Sequence, residues 1–142
     1  MKTFPLAKVQ TIRQLEMDQA KHEVWVLRKS IQDVLEALEQ IALMQKRLVD
    51  DRSKKLAKGA YPFELNQDQV KIKALKELKR MQEIKLVELR QLEAMRLKVL
   101  MEKKQTVSGL DKLHDKFLAI QAQEQRKEEA DFIESTLVHK QR

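Results

Sequence analysis

Apolar residues recur along this chain in steps of three and four. Val24, Leu27, Ile31, Val34, Leu38 and Ile41 alternate strictly, and Leu48 continues the series. A second stripe, Leu110, Leu113, Phe117 and Ile120, comes late. Such spacing gathers the side chains on one seam of a helix, and a seam of this kind is stable only against another helix. Between the stripes lies the one strong breaker cluster, Gly59-Ala60-Tyr61-Pro62. The pattern predicts an all-α fold: a single long antiparallel two-helix coiled-coil hairpin, the second helix longer than the first.

The first helix is expected over about 4–58, opening near Thr3 with Pro5 in its first turn. Leu6, Val9 and Ile12 begin its apolar face, which loosens at Gln19 before the strict heptads. The turn is expected over about 59–66. Asn66 as cap, Gln69 three residues on and the apolar pair Leu65 and Val70 resemble a capping box with its staple, and Asp68 suits a first turn. The second helix is therefore expected over about 67–139. Leu75, Leu78, Leu89, Leu92 and Val99 mark its inner face, widened by Met81, Ile84 and Met95. Lys85 and Arg96 fall where a strict heptad wants apolar residues, which argues a mixed period. Gly109 weakens the helix by about 1 kcal/mol relative to alanine and reads as a point of close helix approach. Trp25, beside Val24, reads as a flank of the seam.

With the fold-back near Phe63, residue i faces about 126 − i, so Ile12 meets His114 and the first helix is used up by about residue 122. The remaining stretch, about 30 Å of helix, carries Phe132, Ile133, Leu137 and Val138 without a partner, which points to a binding site.

Composition agrees with long, solvated helices. Of 142 residues, only 2 are Gly and 2 Pro, and 36% are charged. The net charge of +7 is concentrated from Met44 to Arg80, where 11 Lys/Arg oppose 5 Asp/Glu. That excess suits an anionic partner or simple solvation. No cysteine is present, which removes disulfides and thiolate zinc sites. The opening residues do not read as a secretory signal, and no apolar run approaches the roughly 20 residues of a membrane span. His22, His114 and His139 are scattered, the acidic pairs Asp50-Asp51 and Glu128-Glu129 diverge on a helix, and no phosphate loop or nucleophile motif occurs. The reading is of a protein that is not an enzyme, with no metal, cofactor or small-molecule substrate. Nucleic acid is a weak candidate, since only Tyr61 and Phe63 offer stacking near the basic residues.

The opening Phe4-Pro5-Leu6-Ala7-Lys8-Val9 with Ile12-Arg13, the stretch Leu97-Lys98-Val99-Leu100-Met101-Glu102-Lys103-Lys104-Gln105, and the charged Gln125-Arg126-Lys127-Glu128-Glu129-Ala130-Asp131-Phe132 together resemble the flagellar FliJ proteins. Ala130 stands where that family usually has an acid. The resemblance implies a cytoplasmic component of the flagellar type III export apparatus, peripherally associated with the inner-membrane machinery. It would bind and promote the hexameric export ATPase as a central stalk, contact the cytoplasmic domain of the export gate and handle export chaperones. Arg13, Gln14, Arg126, Lys127, Asp131 and Phe132 would touch the ATPase; Ile41, Met44, Leu48, Leu75 and Leu78 would touch the gate. The equivalent stalk of a virulence type III secretion system, a basic coiled-coil arm on nucleic acid and a coiled-coil dimer between chains are the alternatives.

Overall fold

The computed structural model describes residues 2–140. Two helices, α1 (Ala7–Ala57) and α2 (Pro62–Lys140), pack against each other as a helical hairpin, α2 the longer. Helix α1 starts later than expected. Pro5 sits in a tight turn closed by the Ala7 amide donating to the Phe4 carbonyl (3.1 Å), because proline suits the second position of such a turn.

The reversal is built by Gly59 at φ +76°. The Ala60 amide donates to the Lys55 carbonyl (3.0 Å) and the Gly59 amide to Leu56 (3.3 Å), the paired bonds of a Schellman cap. Helix α2 restarts at Pro62, not near Gln67. Proline at the first helical position loses no bond there, Glu64 favours the helix N-terminus, and the Tyr61 carbonyl accepts from the amides of Glu64 (3.1 Å) and Leu65 (3.3 Å). The Asn66–Gln69 box thus lies inside the helix.

Two compact units make up the chain, Lys21–Lys98 and Met1–Ala20 with Val99–Arg142. In the first, Val24, Ile31, Val34 and Ile41 are buried, with Leu27, Leu38 and Leu48 half-buried beside them. Arg28 bonds Glu93 (3.4 Å) and Arg52 donates to Gln69 (2.8 Å), so residue i stands opposite about 121 − i. The fold-back is centred between Ala60 and Tyr61, earlier than the Phe63 of the sequence reading. The inner face of α2 accordingly runs Leu65, Asp68, Ile72, Leu75, Gln82, Leu86, Leu89, Glu93 and Leu97. Leu78, Leu92, Met81, Ile84 and Met95, expected there, are 45–65% exposed. The period is a strict heptad that accepts Lys79 and Arg96 at its edges, Arg96 bonding Glu23 across the pair (3.1 Å). Asp68 is buried and paired with Lys55 (3.1 Å). Trp25 is exposed, one residue and therefore about 100° beyond the Val24 seam position, its ring flanked by His22 and Lys29.

In the second unit Phe4, Met17, Ala20, Leu100 and Val107 are buried. Phe4 stacks on His114 (4.6 Å) and leans on Phe117 (5.4 Å). Leu6, Val9 and Ile12 face solvent, because steps of three drift round the helix while the seam passes through Ala7, Gln10, Gln14 and Met17. By the same phase His114 and Gln121 take inner positions, and Leu113 and Ile120 lie exposed. Gly109 is exposed in unbroken helix, and a Cβ there would meet nothing within 4 Å. It permits no close approach.

The two glycines should respond oppositely to alanine. Gly59→Ala meets no steric neighbour but places a side chain in the left-handed region, costing about 1 kcal/mol. Gly109→Ala should stabilise by up to about 1 kcal/mol. Urea melts followed by circular dichroism read both signs.

Candidate protein-interaction site

Beyond Gln121, whose amide donates to the Lys2 carbonyl (2.8 Å), α2 continues to Lys140. The stretch is rich in Ala, Gln, Glu, Arg and Lys, strong helix formers, and Thr136 donates its hydroxyl to the Phe132 carbonyl (2.9 Å). Phe132 is 73% exposed, with Ile133, Leu137 and Val138 also more than half exposed. Phe132 and Ile133, with Gln125, Glu128 and Glu129, line a shallow open depression. Arg126, Lys127 and Asp131 stand exposed around it and form no ion pair among the described residues. The apolar side chains are thus presented on a preformed helix bordered by mixed charge, the surface a helical or loop partner can cover.

Arg13 and Gln14 lie elsewhere in the same unit. Gln10 donates to Asp111 (2.8 Å), which sets Arg13 level with about residue 108, some 18 residues, or about 27 Å, from Arg126 along α2. The two halves of the ATPase-contact set are therefore not brought together on one patch. Arg13 is engaged locally: it donates to Glu16 (3.0 Å), which also accepts from Lys103 across the pair (3.2 Å). Gln14 donates to Asp18 (3.1 Å). The Arg13 hydrogen bond, then that of Lys103, hold the Glu16 carboxyl below its ordinary value of 4.5.

Of the gate-contact set, Ile41 is buried, while Leu48 and Leu75 are half-buried in the seam. Met44 and Leu78 are each 49% exposed and free to meet a partner. Sequence reading placed α2's outward residues inside, and so missed Met81, Ile84 and Met95 as surface; the polar Gln82 and Glu93 on the true inner face made it look the less apolar of the two, and only the position of the turn gives the facing seam away.

No group of three His, Cys, Asp or Glu side chains among the described residues is placed to hold a metal ion. His114 is occupied in the Phe4 stack, and His22 lies beside Trp25. No described helix is long and apolar enough to cross a membrane.

A carboxyl with a lowered folded-state value stabilises the fold above the ordinary glutamate range and loses that contribution as pH falls through its folded value. Glu16→Gln should therefore lower the melting temperature at neutral pH, with the difference from the unsubstituted chain closing in acid. Paired thermal melts at the two pH values measure it. No family model, curated protein or solved structure matches this chain.

Proposed function

We propose that the chain is a non-enzymatic, stalk-like component of the flagellar type III export apparatus that binds the hexameric export ATPase and promotes its activity. The observation that carries this reading is the helix beyond Gln121, which holds Phe132, Ile133, Leu137 and Val138 exposed and helical without a partner among the described residues. It coincides with the Arg126-to-Phe132 segment that resembles the family's charged C-terminal signature. A narrow helical pair carrying such a segment suits insertion into a ring whose subunits supply the missing apolar contacts. Contacts with the export gate through Met44 and Leu78, and handling of export chaperones, belong to the same proposal. A peripheral association with the inner membrane would follow from those partners. In a virulence-type system the physical role is the same, and the ATPase that responds distinguishes the two.

The basic stretch favours a second reading, a coiled-coil arm on nucleic acid: between Arg52 and Arg80 nine Lys/Arg stand against three acids. Binding to RNA or DNA that falls steeply with salt and needs no protein partner would select it.

Turnover of the cognate export ATPase, measured with and without this chain, tests the leading reading. Stimulation is expected. Phe132→Ala should weaken binding about tenfold or more, as loss of a central aromatic anchor does, and Arg126→Ala should weaken it less, as a rim charge does. Absence of both binding and stimulation overturns the proposal.

A further inference from the structure

Helix α2 carries two apolar seams in the unit Lys21–Lys98, and only one of them faces α1. The outer series steps by four and three from Phe63 through Gln67, Val70, Ala74, Glu77, Met81, Ile84, Glu88 and Gln91 to Met95. It lies about 140° round the helix from the inner seam, at 3.6 residues per turn. Phe63 is 71% exposed, Val70 61%, Met81 57% and Met95 65%. Leu78, Val87 and Leu92, all at least 45% exposed, border the series and broaden it. Six of the ten positions are apolar, and with the bordering Leu78, Val87 and Leu92 they form an exposed stripe of the kind on which one helix seats another. Solvation alone gives no reason for it.

The bordering charges specify the partner. In a coiled coil the residues next to the seam choose the partner by charge. Here they are Lys71, Lys73, Arg80 and Lys85, against the single acid Glu64. Arg80 is engaged with Glu77 on its own helix (2.6 Å); Lys71, Lys73 and Lys85 form no ion pair among the described residues. A second copy of this chain is a poor occupant. A parallel copy would set Glu77 against Glu77 and Glu88 against Glu88. An antiparallel copy centred on residue 79 would set Glu88 against Val70, leaving a carboxylate covered and unpaired. An anionic bilayer fits less well than a helix, because Glu77 and Glu88 fall within the stripe itself.

We infer that the outer face of α2 from Phe63 to Met95 is a docking seam for an amphipathic helix of another protein, one with a heptad apolar stripe bordered by acidic residues. The seam stands on α2 alone and does not rest on the stalk reading, whose ATPase contacts lie in the other unit and whose gate contacts share only Leu78 with it. The docked helix buries Met81, Ile84 and Met95, and its Asp or Glu side chains meet Lys71, Lys73 and Lys85. Those pairs steer association and select the partner more than they hold it.

The probe is a synthetic peptide of about four heptads, with Leu at the seam positions except for Lys at the two that face Glu77 and Glu88, and Glu at the bordering ones, whose like charges oppose pairing with itself. A second peptide replaces every bordering Glu by Lys. Titrated by fluorescence anisotropy against the full chain, the Glu peptide should bind at least about tenfold more tightly than the Lys peptide and lose affinity with added salt. Met81→Glu with Met95→Glu should abolish binding. Both positions are exposed, so far-UV circular dichroism should not change. Lys73→Glu with Lys85→Glu, which touches no buried residue, should reverse the preference between the peptides. Equal binding of both peptides, binding untouched by the methionine changes, or a preference unmoved by charge reversal overturns the inference. So does sedimentation showing a dimer that the methionine changes dissolve, or vesicles of anionic phosphatidylglycerol bound through the same methionines while the peptide is not.

Discussion

Once Gly59 reverses the chain and Pro62 restarts it, a residue of α1 in the unit Lys21–Lys98 can meet only the part of α2 near 121 − i. This register decides which side chains are inside. A shift of one residue rotates a helix face by about 100°, enough to take Val34 and Ile41 off the seam. The Schellman bonds of Gly59 and Ala60 fix where α1 stops, and the proline fixes where α2 can begin. The neighbouring polar layer, Asp68 with Lys55 and Arg52 with Gln69, favours the same alignment, since slippage would leave the buried Asp68 carboxylate without its ammonium.

Given that register, the seam is more polar than a heptad count implies. Glu93 and Gln82 take inner places in one unit; Gln10, Gln14, Lys103 and His114 take them in the other. Their long stems cover apolar neighbours while the polar ends reach the edge, where Glu16 meets Lys103 and Gln10 meets Asp111. Apolar residues displaced by this choice lie on the surface instead. Leu6, Val9, Ile12 and Leu15 in α1, and Met81, Ile84 and Met95 in α2, are exposed for that reason.

Two helices, one glycine–proline reversal and the greater length of the second helix were legible because each leaves a local mark: three-and-four spacing, a residue able to take positive φ, and a heptad stripe continuing past its counterpart. The inner face of α2 was not. Leu78, Leu92 and Met95 satisfy a heptad as well as Ile72, Leu86 and Leu100 do, and periodicity within one helix cannot say which of two stripes has the partner. Only the turn's true centre decides, and it was masked by Asn66 and Gln69, which carry the residue types of a cap yet lie one turn inside a helix already started by Pro62. In the candidate site, the exposure of Phe132 and Ile133 followed from counting residues back from the turn. The separation of Arg13 from Arg126 did not, and needed the register that contacts such as Gln10 with Asp111 supply.

A helical pair whose core is one narrow seam has little apolar area to oppose the entropy of ordering its backbone. Covering its outer apolar residues adds what the seam lacks. A partner held at a hundred times its dissociation constant stabilises the bound fold by about 2.7 kcal/mol, a large share of the stability a thin core supplies. Binding and folding are thereby linked in each unit. A partner on the Phe132 segment is expected to stabilise the end of α2, and one on the Met81 stripe to strengthen the seam behind it. Exposed methionines suit this arrangement, since their flexible thioethers can settle against helices of differing shape. The charges that border them then carry the selectivity.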